Sequence, residues 1–311
     1  DFHSRIWISY RYNFIPLLPS YDFSFTSDIG WGCMIRSGQM ILAETLLRHK
    51  LGRNWRLSKG KNKHYSLAHK DILVYFLDLP NINCDFSIHR IVQLGMQYSR
   101  IPGDWYGPET ISLILKELVE SHKIDISINI AKESIIIEDN LYKLFENNNG
   151  LLLLIPLRLG LNEVNELYRK SLYKFLEFPQ SVGFIGGKPG RSIYCVGHDN
   201  EDLIYLDPHT PQQTVSNNSY FPNMNELQSY HTSKPLYMNY KQLDPSLVVG
   251  FYINNKNDLE DFFIRLNILF SNNNPLFEII KNQEDYDKIN QKKSNCIVLS
   301  TEEEDDWELI G

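Results

Sequence analysis

A cysteine at the predicted start of a helix is the first residue of this sequence that could act as a nucleophile. Cys33 follows Gly30–Gly32 in the stretch TSDIGWGCMIRSGQM, and apolar residues at helical spacing continue to Lys50, with Gly52 as a stop. The unpaired N–H groups at a helix start carry partial positive charge, which favours a thiolate over a thiol. Free cysteine is also among the most buried residue types. Cys33 therefore has two interpretations, a nucleophile or a small core residue.

A carboxylate and an imidazole stand two residues apart at the end of a second apolar run, IYLDPHTPQ. In an extended chain Asp207 and His209 face the same side, so both can project from one strand end. A cysteine nucleophile needs a histidine to exchange its proton, and a third polar group orients that ring. The same residues also suit a surface turn. A third interpretation adds His198 and gives a metal site with two histidines and one carboxylate.

Two further features are weaker signals. Tyr10 lies upstream of the cysteine, where its hydroxyl could stabilise an oxyanion, although a lone tyrosine more often packs in a core. The stretch GFIGGKPG departs from a phosphate-binding loop because Lys188 is followed by Pro189 rather than Ser or Thr. We therefore predict a mobile loop here and no nucleotide site.

Composition limits the classes of protein to consider. The chain has 311 residues, a net charge of -7 and four cysteines without paired spacing. Its acidic balance argues against a nucleic-acid partner, and the scattered cysteines favour a reducing compartment. No apolar stretch reaches the roughly 18 residues that a membrane span requires. The opening residues lack the layout of a signal peptide, so we expect a cytoplasmic protein.

Helices and strands are predicted to alternate along most of the chain. Helices are expected at 109–122 and 258–270, and strands at 150–157 and 247–253, with two more strands around an Asp-Asn turn within 191–212. This mixture predicts an α/β or α+β domain over residues 1–277. Residues 278–311 lose apolar density and hold six acids between Glu302 and Glu308, which predicts an exposed acidic tail.

Several stretches, in order from about Trp7 to the end, resemble the autophagins, the cysteine peptidases of autophagy. They are YRYNFIPL, TSDIGWGCMIRSGQM, LGRNW, GDWYGPETI, LLLLIPLRLGLNEVN, PQSVGFIGGKPGRSIYCVGHDNEDLIYLDPHTPQ and LDPSLVVGFYINNKNDLEDF. Each stretch is weak alone, but their joint order is specific.

The resemblance implies a papain-like fold with a small family-specific insertion. It also implies roles for four residues: Cys33 as nucleophile, His209 as base, Asp207 as the partner that orients His209, and Tyr10 at the oxyanion position. It further implies a gate over the active site, made by Trp105 and by the loop residues Gly186, Gly187, Lys188 and Pro189. Neither a cofactor nor a metal is expected.

The resemblance also implies a substrate. Autophagins cut after a C-terminal glycine of ubiquitin-like autophagy modifiers, which matures the precursor and later releases the modifier from phosphatidylethanolamine. Membrane contact is then expected only through the lipidated substrate. Some relatives carry a second cysteine four residues after the nucleophile, where this chain has Ser37, so redox control through that thiol is not expected.

The tail adds one more expectation, and two alternatives stay open. Trp307 and Ile310 follow acids and resemble an aromatic-x-x-aliphatic motif that binds the same modifiers, although so short a pattern also arises by chance. The alternatives are a deubiquitinase-type papain-like peptidase and an inactive scaffold that only binds the modifier.

Overall fold

A seven-stranded mixed sheet, covered by helices on both faces, forms the centre of the fold. The computed structural model describes residues 2–18, 25–58, 66–80, 83–145, 150–188, 190–215, 224–289 and 291. The helices of this part are α1 (Cys33–Leu51), α2 (Leu67–Val74), α3 (Ile88–Gly95), α4 (Pro108–Ser121), α5 (Glu138–Leu144), α6 (Arg169–Glu177), α7 (Met224–Gln228) and α8 (Lys256–Asn272). The strands are β1 (Arg11–Tyr12), β2 (Ile126–Ile130), β3 (Ile135–Ile137), β4 (Gly150–Arg158), β5 (Ser181–Lys188), β6 (Arg191–Asp199), β7 (Asp202–Leu206), β8 (Gln212–Gln213), β9 (Leu236–Asn239), β10 (Ser246–Ile253) and β11 (Glu278–Ile280).

The order of the sheet is β2-β4-β10-β5-β6-β7-β9, and only the β2–β4 pair is parallel. The sequence of strand β4 is continuously apolar because both of its faces are buried. Leu152 and Leu154 enter the core on one face, whereas Leu151, Leu153 and Ile155 enter the core on the other. A strand with both faces covered has no solvent side to leave polar.

Helix α1 lies inside the molecule, between strands β5 and β6 on one side and helices α2 and α4 on the other. Gly38 permits the approach of α4, because a Cβ atom there would stand 2.5 Å from Ile111 Cγ1. The burial of Cys33 at its first position is thus a consequence of the helix being central. Among the described helices, none combines the length and the apolar character that a membrane span requires.

The predicted elements agree with the structure in kind and nearly in position. The helix expected from Cys33 to Lys50 ends at Leu51 before Gly52, and the helix expected at 109–122 spans Pro108–Ser121. Strands β4, β6, β7 and β10 and helix α8 also lie where the sequence placed them. The prediction of a mixed α/β fold is confirmed.

The mobile loop predicted at 183–190 is wrong for its larger part. Gly186, Gly187 and Lys188 belong to β5 and pair with β6. These two glycines serve close packing: a Cβ atom on Gly186 would lie 2.7 Å from Leu247 Cβ, and one on Gly187 would lie 1.9 Å from the Arg191 carbonyl oxygen. The local glycine content suggested freedom, but the neighbouring strands remove it. Pro189 lies outside the described residues.

The exposed tail does not begin at residue 278. Strand β11 (Glu278–Ile280) pairs in parallel with β3 (Ile135–Ile137), and Lys281 lies 3.0 Å from Glu138. The strand forms because buried Phe277 holds its start against the domain, and a parallel partner strand gives it hydrogen bonds. Trp307 and Ile310 lie outside the described residues.

Candidate active site

The turn before Cys33 is built by hydrogen bonds to one residue. The Asp28 carbonyl oxygen accepts from the Trp31 N–H at 3.2 Å and from the Gly32 N–H at 2.9 Å. Gly30 has φ of +90°, which favours glycine. A Cβ atom on Gly32 would lie 2.4 Å from Asp28 Oδ2. Both glycines of the GWGC stretch are therefore required to place Cys33 at the start of α1.

A network of buried ion pairs also stabilises this turn. Arg36 is wholly buried and contacts Asp28 Oδ2 at 2.7 Å and Asp78 Oδ1 at 2.8 Å. Asp28 Oδ1 also accepts the Arg11 N–H at 2.7 Å. Asp28 thus joins helix α1 to strand β1, which follows Tyr10. Burial raises the pKa of Asp28, although the charge of Arg36 opposes that rise.

Asp207 and His209 follow the end of β7, as their sequence position predicted. Asp207 Oδ1 accepts the His209 backbone N–H at 3.0 Å and also pairs with ring atom Nδ1. The ring is also close enough to Cys33 to interact with its thiol. Since Asp207 engages Nδ1, the Nε2 atom is left for the thiol. The structure therefore brings Cys33, His209 and Asp207 together in that order.

The N-terminal segment holds this loop and supplies Tyr10. The Trp7 indole N–H donates to the Asp207 carbonyl oxygen at 2.8 Å, and the Tyr10 N–H donates to the Pro208 carbonyl oxygen at 2.7 Å. The Tyr10 ring meets the His209 ring edge to face, with centroids 5.3 Å apart. Its hydroxyl is close enough to Cys33 to interact with the thiol. Tyr10 therefore lies beside the thiol, close to the ring of His209.

The surroundings of Cys33 favour its thiolate. Burial acts to raise the pKa of the thiol, but hydrogen bonds from His209, the Ser192 amide and the Trp105 side chain outweigh it and lower that pKa. Burial also disfavours the imidazolium, yet Asp207 and Cys33 raise the pKa of His209 to about 9. Burial, together with the charges of Cys33 and Asp28, raises the pKa of Tyr10, so its phenol stays a donor. A thiolate paired with an imidazolium can attack a carbonyl carbon.

Sequence reasoning missed two contributors. Ser192, opposite Gly187 in the β5–β6 ladder, presents its amide to Cys33, and its hydroxyl donates to Ser37 Oγ at 2.9 Å. The second is the buried pair Asp28–Arg36, both members of which belong to the stretch TSDIGWGCMIRSGQM. The available signal was a charged residue among the apolar residues near the start of α1, because a buried charge requires a partner.

Trp105 is 46% exposed, and its side chain is close enough to Cys33 to interact with the thiol. Gly186, Gly187 and Lys188 lie at the end of the β5–β6 hairpin. Gly187 pairs there with Ser192, whose amide interacts with Cys33. The residues predicted to form a gate, apart from Pro189, thus lie near Cys33.

His198 does not join this cluster. Its Nε2 atom lies 3.2 Å from Glu177 Oε1, and its ring stacks on Tyr173 with centroids 4.7 Å apart. Among the described residues, no three His, Cys, Asp or Glu side chains are arranged to hold a metal ion. The metal interpretation of His198, Asp207 and His209 therefore has no geometric support.

The pH dependence of thiol reactivity tests the pairing of Asp207 with His209. In the wild type the lowered pKa of Cys33 places the rise of alkylation below the ordinary value of 9.0. Asp207→Asn removes the charge that stabilises the imidazolium, so the pKa of His209 falls and that of Cys33 rises. We expect the iodoacetamide rate profile of Asp207→Asn to shift to higher pH, with an unchanged plateau. An unshifted profile would contradict the role of Asp207.

Comparison with known proteins agrees with this geometry. Residues 1–265 match the peptidase C54 catalytic domain. The chain is similar to the cysteine protease ATG4B of Xenopus laevis, with 36% identity over 90% of this chain and 78% of the relative. It is similar to ATG4b of Arabidopsis thaliana, with 36% identity over 100% and 70%, and to ATG4B of Gallus gallus, with 35% identity over 91% and 79%. The chain therefore belongs to the C54 family of cysteine peptidases, the autophagins.

Proposed function

We propose that this peptidase cleaves after the C-terminal glycine of a ubiquitin-like autophagy modifier. In this proposal it matures the precursor of the modifier and releases the modifier from phosphatidylethanolamine. The observation that carries the proposal is the series Cys33–His209–Asp207, in which Asp207 pairs with His209 and His209 interacts with the thiol, in a chain of the C54 family. The substrate class is inferred from the autophagy proteases that the chain resembles.

The side chains around Cys33 supply each step of an acyl transfer. Cys33 Sγ attacks the glycine carbonyl carbon, and the Tyr10 hydroxyl with nearby N–H groups stabilises the oxyanion. His209 then gives its proton to the leaving amine, which belongs to the next residue or to phosphatidylethanolamine. Water, deprotonated by His209, attacks the thioester and restores the thiol. Asp207 keeps the ring oriented throughout.

Glycine at the cleaved position suits the crowding at this thiol. Tyr10, Trp105 and the β5–β6 hairpin all approach Cys33, and a residue without a side chain fits a narrow passage best. We place the reaction in the cytoplasm, because four cysteines without paired spacing favour a reducing compartment. Contact with a membrane comes through the lipidated substrate in this proposal.

A pair of substrates tests the proposal against its alternatives. Wild-type enzyme is incubated with one reporter fused to an autophagy modifier and with a matched reporter fused to ubiquitin. We expect release only from the modifier fusion, and release of modifier from vesicles that carry its phosphatidylethanolamine conjugate. Preference for ubiquitin would favour a deubiquitinase-type peptidase. Binding of the modifier without cleavage would favour a scaffold.

The Trp105 side chain is proposed to cover the thiol before substrate enters. Trp105→Ala should raise the plateau rate of Cys33 alkylation about tenfold, which corresponds to about 1.4 kcal/mol in favour of the covered state. Trp105→Phe keeps a ring but loses the N–H donor. It should therefore shift the pH profile upward and leave the plateau near that of the wild type.

Tyr237→Ala is the matched control, because Tyr237 is a comparably exposed aromatic residue, 52% exposed, on strand β9. It should change neither plateau nor profile. Equal plateaus for Trp105→Ala and the wild type would remove Trp105 from the gate.

The acidic tail is proposed to give the substrate a second, weak contact. Trp307 and Ile310 would occupy two pockets at a sheet edge of the modifier, and the preceding acids would favour a basic rim. Because the contact is tethered, Trp307→Ala should weaken binding of the modifier by about tenfold or more and leave the rate of the chemical step nearly unchanged. Titration of immobilised modifier in low and physiological salt measures this. Trp307→Phe is the control that keeps an aromatic ring, and equal affinity for all three chains would leave the tail without a role in binding.

A further inference from the structure

One long stretch of this acidic protein contains no acid. From Thr45 to Lys70 the sequence has no Asp or Glu, although the whole chain has a net charge of -7. The cations of the stretch are Arg48, Lys50, Arg53, Arg56, Lys59, Lys61, Lys63 and Lys70. Arg48 and Lys50 lie in the last turn of α1 and complement the helix dipole. Arg53 and Arg56 lie beyond Gly52, where the dipole does not account for them.

The structure places four arginines around one recess at this end of α1, here called the arginine pocket. Its wall includes Arg5, Arg48, Arg53, Arg56, Glu44 and Glu177. Four guanidinium groups and two carboxylates leave a net charge of +2 on this wall.

The two carboxylates of the pocket already have partners. Glu44 lies 2.9 Å from both Arg5 and Arg48. Glu177 lies 2.7 Å from Lys174 and 3.2 Å from His198. Neither glutamate is therefore available to neutralise Arg53.

Arg53 is exposed at the mouth of the pocket, and no ion pair joins it to an acid in the described part of the chain. The acid that attracts it, Asp258, already accepts from Gln180 at 2.6 Å and from the Asn254 N–H at 2.9 Å. Burial and the nearby Arg48 lower the pKa of Arg53. An anion bound here would thus relieve repulsion between like charges.

Two buried hydroxyl groups on the pocket wall are suited to an anion. Ser4 Oγ accepts the Leu57 N–H at 3.1 Å, and Ser181 Oγ accepts the Gly183 N–H at 3.2 Å. Because each oxygen already accepts a backbone hydrogen bond, its own O–H proton is left to donate. The half-buried indole of Trp55 forms part of the wall as well.

We propose that the arginine pocket binds the phosphate dianion of a soluble phosphomonoester. A phosphate dianion complements the positive wall, and its oxygens match the geometry of guanidinium groups. A lipid headgroup fits less well. Along helix α1, Arg48 on the pocket wall lies about 22 Å from Cys33 at 1.5 Å per residue, so under the proposed function the pocket lies apart from the thiol that would receive the lipid amide.

Calorimetric titration of the full chain tests the proposal without measuring peptidase activity. The probes are inorganic phosphate, O-phosphoserine and a phosphoserine peptide, with sodium chloride at matched ionic strength as the blank. We expect one saturable site for the phosphate compounds. Arg53→Ala should weaken it at least about tenfold, the effect of losing a charge-assisted hydrogen bond, and Arg53→Lys should weaken it less.

Lys241→Ala, which removes an exposed cation outside the pocket, should leave the titration unchanged. Because Arg53 is exposed, its variants should unfold at the wild-type temperature, and a melting curve checks this. Equal phosphate affinity in Arg53→Ala would show an adventitious ion only and overturn the site. Arg53-dependent binding to phosphatidic acid vesicles, without saturable binding of the soluble compounds, would overturn the choice of ligand. These titrations do not depend on peptidase activity, so a failure to cleave the modifier fusion would contradict the proposed function without contradicting the phosphate site.

Discussion

Cys33→Ala is expected to abolish cleavage of both the peptide bond and the lipid amide, with turnover reduced about 10⁴-fold or more. The thiol is the atom that attacks, and the Ser192 amide, Tyr10, Trp105 and His209 converge on it. Alanine leaves these neighbours in place, so binding of the modifier should be largely retained. Single-turnover cleavage of a modifier precursor measures the loss of turnover, and a parallel binding assay measures the affinity for the modifier.

Two further variants separate the nucleophile from its partners. His209→Ala should be nearly as severe as Cys33→Ala, because the thiolate loses its proton partner. Asp207→Asn should retain some turnover, since it disturbs the charge and orientation of the ring without removing it. Cys195→Ala is the matched cysteine control: Cys195 is buried within β6, and burial raises the pKa of its thiol to about 12. Appreciable turnover by Cys33→Ala would contradict the assignment of the nucleophile.

Arg36→Met is expected to lower the free energy of unfolding by about 3–5 kcal/mol, because it leaves two buried carboxylates without their cation. Arg36 contacts Asp28 and Asp78 with all three side chains at 0–1% exposure. The Cys33 turn depends on Asp28, so alkylation of Cys33 in the folded variant should also lose its wild-type pH profile. Urea unfolding measures the first effect and iodoacetamide labelling the second.

Arg265→Met provides a closely matched control for this stability effect. Arg265 Nε lies 2.6 Å from Asp261 Oδ2, almost the distance of the Arg36–Asp28 contact, but both side chains are about two-fifths exposed. Its loss should cost at most about 1 kcal/mol. Equal losses for the two arginines would show that burial does not govern the Arg36 network.

Acidification should partly restore Arg36→Met. Burial already raises the pKa of Asp28 in the wild type, although Arg36 opposes the rise, and removal of Arg36 raises that pKa further. A carboxyl with a raised pKa in the folded state takes up protons more readily when folded. It therefore stabilises the fold at low pH, and that stability is lost as pH rises through the folded pKa. The deficit of the variant should accordingly shrink as pH falls through that window.

The sequence by itself determined the local parts of the site. Apolar residues at helical spacing after Gly32 define α1, and the glycines before Cys33 are demanded by a turn whose geometry is local. Asp207 and His209 follow an apolar run, so their position at a strand end could be predicted. Such signals lie within a few residues of the feature they predict, so they can be recognised without knowledge of the tertiary structure.

Only the tertiary structure decided which distant groups meet. The convergence of Tyr10, Cys33, Trp105, Ser192 and His209 depends on packing α1 against the sheet, which no local pattern encodes. The same cause explains the two corrections. The sequence GGK predicts a flexible loop, but packing against β6 and Leu247 makes it part of a strand. Residues 278–280 were predicted to belong to the tail, but they form a strand because β3 provides a parallel partner. Strand pairing and side-chain convergence join segments that are far apart in the chain. The interactions that stabilise them form only when folding brings those segments together, so a local sequence pattern does not reveal them.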